Sequence, residues 1–385
     1  MVPLIKSLIA PLLSLILLIL GSGLFNTFVS IHLEMSGFDV GTIGFVTSAL
    51  YAGILIGSLK SGRWIEKIGH SRGFALFAGI SVALILLQAL WTNAWYWAAL
   101  RFIGGICMAG IFVAIESWLL LLAAPNLRGA VLSLYLAVFY TALSAGQLLI
   151  YIADPNGLSP YLITAGLTAL SIVPISCKAV KCPIFGESPS MKISHFLKLS
   201  PLGFLGGIIS GMLLAVVYGL LPVYASELGL SVDEIGTLMA ILIFGGLSLQ
   251  WPIGRLADRG NRRFVLNVAS FLSALIAVAI ALQHPIHPTA LSVLVWFFGA
   301  FSFTLYPLSM AYVCEKIQND QIVSATGGFV LSYGIGAICG PLCASFAMQQ
   351  IGSAGLFYFL SLITFGLGIF GLYSSNKESA PEKIE

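Results

Sequence analysis

Twelve stretches of this chain are apolar over roughly the 20 residues that a helix needs to cross a bilayer. They fall at about 8–33, 41–60, 73–92, 96–122, 129–152, 158–177, 201–225, 234–253, 264–283, 289–313, 322–349 and 355–374. An α-helix closes its own backbone hydrogen bonds, which a segment in lipid must do because no water is there to help. Hydrophobic residues make up 58% of the 385 positions and charged residues only 9%, against about 25% charged in soluble domains. A water-facing surface cannot be covered with so few charges. The first run is too long, and its flanks too poor, for a cleaved signal peptide, and it is expected to stay as helix 1. The expected class is an all-α membrane protein with twelve transmembrane helices.

The basic residues orient those helices. With the N-terminus in the cytoplasm and strict alternation, every lysine and arginine of the 18 except Arg101 falls in a cytoplasmic segment or at its edge. The outer loops carry Glu34, Asp39, Asp154, Glu227, Asp233 and Glu234 instead. A missing or extra helix would scramble this positive-inside partition, so charge supports the count of twelve independently of hydropathy. Both termini are expected in the cytoplasm, and the membrane to be the cell inner or plasma membrane. The net charge of +3 is a topology signal, and no nucleic-acid partner is expected.

A second regularity divides the chain. Gly62-Arg63-Trp64-Ile65-Glu66-Lys67-Ile68-Gly69-His70 and Gly254-Arg255-Leu256-Ala257-Asp258-Arg259-Gly260-Asn261-Arg262 lie 192 positions apart. Each reads as a small basic turn with one carboxylate between apolar runs. The same offset aligns Asn26 with Tyr218, Gly37 with Gly229, and Gly53 with Gly245. Two similar halves in a membrane protein point to a pseudo-symmetric transporter with its site between them. The expected division is residues 1–177 as an N-terminal six-helix bundle, 178–200 as a cytoplasmic linker, 201–375 as a C-terminal bundle and 376–385 as a cytoplasmic tail. Within the linker, Ile193 to Leu199 could form a short amphipathic surface helix. The six cysteines suit neither a disulfide framework nor a metal site, and neither a metal nor a cofactor is expected.

The paired loops also carry a resemblance. Gly62, Glu66, Lys67, Gly69 and Arg72, and in the second copy Gly254, Asp258, Arg259, Arg262 and Arg263, look like the signature loop of the major facilitator superfamily. The first copy departs from it in having Glu66 for the usual Asp and His70 for a usual Arg. Arg101-Phe102-Ile103-Gly104-Gly105 is similar to the family's Arg-x-x-x-Gly segment on helix 4. The stretch from Gln250 to Asp258, Phe303-Thr304-Leu305-Tyr306-Pro307 and Cys314-Glu315-Lys316 resemble its YcaD-like branch. The resemblance spans the chain and implies two pseudo-symmetric six-helix bundles, the major facilitator fold. Apart from any family, an acid such as Asp258 at a helix end can accept bonds from a neighbouring helix N-terminus. The adjacent arginines can bridge to acids such as Glu315. Gly62, Arg63, Glu66, Lys67, Arg72, Gly254, Arg255, Asp258, Arg259, Arg262, Arg263 and Glu315 are therefore the candidate cytoplasmic latch, the simpler alternative being plain positive-inside anchoring.

Only Arg101 and Glu116 place charges well inside the apolar runs, both on helix 4. Fifteen residues separate them, about 22 Å along the axis and ~60° around it. Intramembrane charges are costly and normally face a bundle interior or cavity. Arg101, nearer the outer end, could hold an anionic group, tune a nearby acid, or serve only as an architectural arginine. Glu116 could take up a proton or pair with Arg63, Arg72 or Arg128, with the pairing slightly favoured. Polar and aromatic cavity candidates are Asn26, His32, Tyr218, Tyr224, Tyr306, Gln147 and Gln250, each of which could equally be packing. Pro222 and Pro307 are candidate hinges.

These features favour a secondary active transporter of a small molecule, coupled to protons and monomeric. A facilitator or uptake symporter for a small organic anion is the nearest alternative. No nucleotide-binding Gly-Lys-Ser loop and no catalytic cluster is evident in the sequence, so a polytopic enzyme or a non-transporting receptor or scaffold stands further off.

Overall fold

The structure, a computed structural model, describes residues 2–124, 127–176, 197, 200–283, 287–316 and 322–378. The linker at 178–200 therefore lies outside the described residues apart from Leu197 and Ser200, and the tail beyond 378 does as well. Helices account for nearly all of the rest. In chain order they are α1 (Val2–Met35), α2 (Val40–Ile68), α3 (His70–Gln88), α4 (Ala94–Leu122), α5 (Arg128–Gln147) and α6 (Ser159–Leu170, then Ile172–Ser176). The second series is α7 (Pro201–Glu227), α8 (Val232–Arg259), α9 (Arg262–Ala281), α10 (Pro288–Ser302, then Leu305–Lys316), α11 (Ile322–Ile351) and α12 (Gly355–Glu378). Among the described residues, twelve helical spans are long and apolar enough to cross a membrane.

The helix ends follow local chemistry. Asp39, Asn93 and Asn261 cap α2, α4 and α9 by accepting the backbone N–H of Thr42, Tyr96 and Phe264, each at 3.1 Å. Ser231 and Glu234 exchange bonds at the start of α8, Ser231 N–H donating to Glu234 at 2.8 Å and Glu234 N–H to Ser231 Oγ at 3.3 Å. This is a capping box. Gly37 and Gly229, one 192-residue period apart, both sit at positive φ, 82° and 81°. The internal repeat is thus written in the turns that launch α2 and α8.

The signature segments differ from the turns expected of them. α2 continues through Gly62–Lys67 to Ile68, and α8 runs to Arg259. Arg, Leu, Glu and Lys are good helix formers, and only at Gly69, with φ 89°, does the first loop need a conformation closed to other side chains. The proline expectations divide. α10 is interrupted at Phe303–Thr304, where Pro307 cannot return a hydrogen bond to the carbonyl of Phe303. α6 breaks at Ser171, just past the Leu170 carbonyl, to which Pro174 has no N–H to donate. Pro222 lies within the uninterrupted α7.

The chain separates into two compact units, one of Met1–Gly186 with Tyr218–Ile243, the other of Glu187–Val217 with Phe244–Glu385. Small residues bring helices together in both. In the first, a Cβ on Gly53 of α2 would lie 1.9 Å from the Phe102 carbonyl oxygen of α4, and one on Gly105 would lie 2.1 Å from that of Leu50. In the second, Gly245 of α8 stands in the same relation to Trp296 of α10 (2.2 Å), and Gly336 of α11 to Ile208 of α7 (1.9 Å). Without a hydrophobic force between helices in lipid, such close backbone approach supplies the packing.

Candidate functional site

The buried charge of α4 organises the interior of the first unit. Arg101 is 8% exposed and its Nη2 donates to Asn26 Oδ1 on α1 at 2.9 Å. Its guanidinium carbon lies 5.8 Å from the Phe25 ring centroid, within range of cation–π attraction. Tyr51 of α2 is its other close polar neighbour. Among the described residues no carboxylate comes within ion-pair distance of Arg101, and its buried Nε has no hydrogen-bond partner. A cavity of about 70 Å³ lies alongside, lined among others by Ser22 and Asn26 of α1, Gln88 of α3, Arg101 of α4, and Thr164 and Thr168 of α6. Gln88 was not among the sequence candidates. Its only signal there is an amide in an otherwise apolar run near the end of α3.

The remaining candidates are spread out. Gln147 is buried and accepts from Thr27 Oγ1 at 2.5 Å. Asn26 is committed to Arg101, while Tyr218, its counterpart one period on, is not among the residues lining that cavity. His32 stacks on Trp97 with centroids 5.4 Å apart and touches Phe28 and Tyr161, an aromatic packing role. Tyr224 is buried. In the second unit, Tyr306 meets Phe329 and Tyr333 edge-on at 5.1 and 5.2 Å. Gln250 lines a separate cavity of about 500 Å³ together with Gly254, Arg255, Asp258, Thr304 and Pro307. Within the first unit, Ser30 Oγ donates to the Gly219 carbonyl at 2.7 Å and Ser144 Oγ to that of Ala240 at 2.9 Å. The Tyr151 and Thr237 hydroxyls are 2.6 Å apart. These bonds fasten the Tyr218–Ile243 segments to α1, to α5 and to the 3-10 turn Leu148–Ile152 that follows it.

Glu116 is exposed, and the pairing with Arg63, Arg72 or Arg128 favoured by sequence does not occur: among the described residues Glu116 makes no ion pair. Its electrostatic neighbour is Tyr135 of α5.

The second signature segment is joined up. Arg262, the first residue of α9, donates to Asp258 at 3.1 Å and to the Ala311 carbonyl of α10 at 3.2 Å, with Glu315 at 4.0 Å. Asp258 was expected to accept from the N-terminus of the next helix. Asn261 occupies that cap instead, being adjacent to it, which leaves Asp258 to the guanidinium. Arg263 turns inward, 9% exposed, and donates Nε and Nη2 to the Gly371 carbonyl at 2.9 and 2.7 Å, so it anchors α9 to α12. Arg255 lies over Trp251 at 5.3 Å, and Arg259 is exposed. In the first copy Arg63, Glu66, Lys67 and Arg72 are all exposed, and Glu66, Lys67 and Arg72 make no ion pair among the described residues. A Cβ on Gly62 or Gly254 would meet nothing within 4 Å. At the opposite ends of the helices, the hydroxyl and amide of Thr42 hold the Asp39 carboxyl below the usual carboxylate range.

Twelve spans in two similar series, a buried intramembrane cation and paired acid-base loops define an integral multi-pass membrane transporter. The chain belongs to the major facilitator superfamily, whose sequence profile matches residues 12–188 and 203–385. It is 36% identical over 353 residues, 91% of each chain, to YcaD of Escherichia coli O6:K15:H31 (strain 536 / UPEC), described as an uncharacterized MFS-type transporter. Among solved structures it superposes on the nucleoside transporter NupG with a TM-score of 0.77 at 15% identity, covering 96% of this chain and 98% of that one. A D-xylose–proton symporter superposes with a TM-score of 0.74 at 15% identity, covering 95% and 96%. Likeness at that identity carries the fold alone.

Proposed function

We propose that this protein is a secondary active transporter that moves a small molecule by alternating access and is driven by protons. It works as a monomer in the cell inner or plasma membrane, with both termini and the 178–200 linker cytoplasmic and the halves 1–177 and 201–375 as its two bundles. The observation that carries the coupling is Glu116, a carboxylate within a membrane span with no ion pair among the described residues. A carboxylate without a cationic partner inside a membrane gains from taking up a proton. Arg101, on the same helix, stays tethered to Asn26.

The test is proton movement in proteoliposomes holding a pH-sensitive dye. D-xylose, nucleosides and organic anions are offered first, because solved transporters of this fold carry those names. Glu116→Gln is expected to abolish pH-driven movement while leaving substrate exchange intact; loss of both, or of neither, refutes the role. A second reading, a facilitator or uptake symporter for a small organic anion, is supported by the absence, among the described residues, of any acid paired with Arg101. It predicts uptake of an organic anion that Arg101→Ala abolishes.

A further inference from the structure

The interior of the first unit has a surplus of donors and of positive charge. A guanidinium carries five N–H groups, and Arg101 spends one of them on Asn26. Its Nε is buried without an acceptor, and so is Nε2 of Gln88, a side chain only 3% exposed. Both residues line the same 70 Å³ cavity, between α1, α3, α4 and α6. Thr164 and Thr168 also line it, and no acid among the described residues offers a counter-charge. Removing a cation from water is costly unless it is paired, and each buried donor left open adds to that cost. A negatively charged acceptor in the cavity would supply the counter-charge that Arg101 lacks.

We infer that this cavity is a binding site for a small monovalent inorganic anion of halide or nitrate size, held by Arg101 and Gln88. Size decides against the transported molecule as occupant. A water needs about 10–15 Å³ of such space, so the cavity takes a compact ion with a water or two, whereas organic ligands occupy several hundred Å³. Neutral water fills the acceptor role but leaves the charge of Arg101 uncompensated. The ion neutralises Arg101 inside the bundle and so supports the folded first unit. The inference therefore goes beyond the transport reading and does not depend on which cargo is carried.

The shared chemistry, one compact negative charge accepting N–H bonds, could also come from the carboxylate of an organic cargo. Thermal unfolding of the purified full-length protein separates the two sources. Sodium chloride, bromide and nitrate are titrated in turn at constant ionic strength against sodium gluconate, with sodium benzoate and succinate as bulky arms. The halides and nitrate are expected to raise the melting temperature saturably, and gluconate, benzoate and succinate to leave it unchanged. Gln88→Leu removes one donor and keeps the charge, and the half-saturating bromide concentration should rise about tenfold. Arg101→Gln should abolish the response; should that variant fail to fold, Gln88→Leu and the anomalous signal of bromide in crystals decide. Bromide density beside Arg101 supports the site. No anion-specific shift, an unchanged bromide response in Gln88→Leu, bromide density only elsewhere, or a shift with benzoate or succinate alone overturns it.

Discussion

Replacing Gly53 by Ala tests the packing that positions α4, and with it both deep charges. The new Cβ would lie 1.9 Å from the Phe102 carbonyl oxygen and 2.8 Å from its carbonyl carbon. An ordinary contact is 3.4 Å or more, so α2 and α4 must part locally by about 1.5 Å. The obstructing atoms are backbone within a helix and cannot rotate aside. Even a 0.5–1 Å gap forfeits a quarter to a half of each dispersion contact. Overpacking ordinarily costs about 1–3 kcal/mol, and a backbone obstruction places this substitution at the top of that range. Gly245→Ala, against the Trp296 carbonyl at 2.2 Å, repeats the experiment one period later and should cost about as much. Gly79→Ala on α3 is the control, since nothing lies within 4 Å of its Cβ position; it should be neutral or stabilising by up to about 1 kcal/mol through helix propensity alone.

The assay is thermal unfolding of the three variants in one detergent, followed through the seven tryptophans. Gly53→Ala and Gly245→Ala should melt several degrees below the parent protein, and Gly79→Ala at or above it. Equal melting temperatures for Gly53→Ala and Gly79→Ala would refute the close α2–α4 approach and the geometry built on it.

Asp258→Asn removes the charge from the acceptor of Arg262 in a pair whose side chains are 68% and 30% exposed, so its stability cost should stay below about 1 kcal/mol. If the pair is a latch, transport slows and cysteine labelling changes at the ends of α5 and α11; unchanged rate and labelling reduce it to an anchor. Arg263→Ala deletes two charged hydrogen bonds to the Gly371 carbonyl and should cost about 1.5–3 kcal/mol, measured as a melting shift that Asp258→Asn does not show. Asp39→Ala removes the cap of α2 and should cost about 1 kcal/mol. Because the folded pKa of Asp39 is lowered, its stabilisation is present above the unfolded carboxyl pKa and fades as pH falls through the folded value. The melting difference between parent and Asp39→Ala should therefore shrink on acidification, and a pH-independent difference would assign the effect to packing.

The twelve spans were legible because length and apolarity act along the chain, one segment at a time. The repeat was legible because positive-φ glycine and helix caps are local requirements: Gly37 and Gly229 recur with Asp39 and Ser231 behind them. Side-chain partners were legible only in part. Glu315 could be named as a partner for the second signature segment because, beyond Asp258 itself, the second half has few acids near its expected cytoplasmic helix ends. Arg263 could not be distinguished from Arg262, its neighbour in sequence, although one step around α9 turns it from Asp258 to the Gly371 carbonyl. The 192-residue offset pairs Asn26 with Tyr218, yet the real partner of Asn26 is Arg101, on another helix of its own half.

That last difference bears on how the charges of α4 can act. A repeat in sequence conserves the positions of helices, whereas a polar contact requires complementary groups, which the second half does not supply at the matching places: Tyr218 stands for Asn26, and Val293 for Arg101. The two halves can share a scaffold and its glycine contacts while one of them alone carries the intramembrane cation. Arg101 is held by Asn26 and flanked by Phe25 and Tyr51, all within the first unit, so its charge is fixed to that unit's framework. Glu116 has no such partner among the described residues. On one rigid helix, Arg101 is tethered and Glu116 is unpaired among the described residues, so of the two it is Glu116→Gln that tests proton coupling.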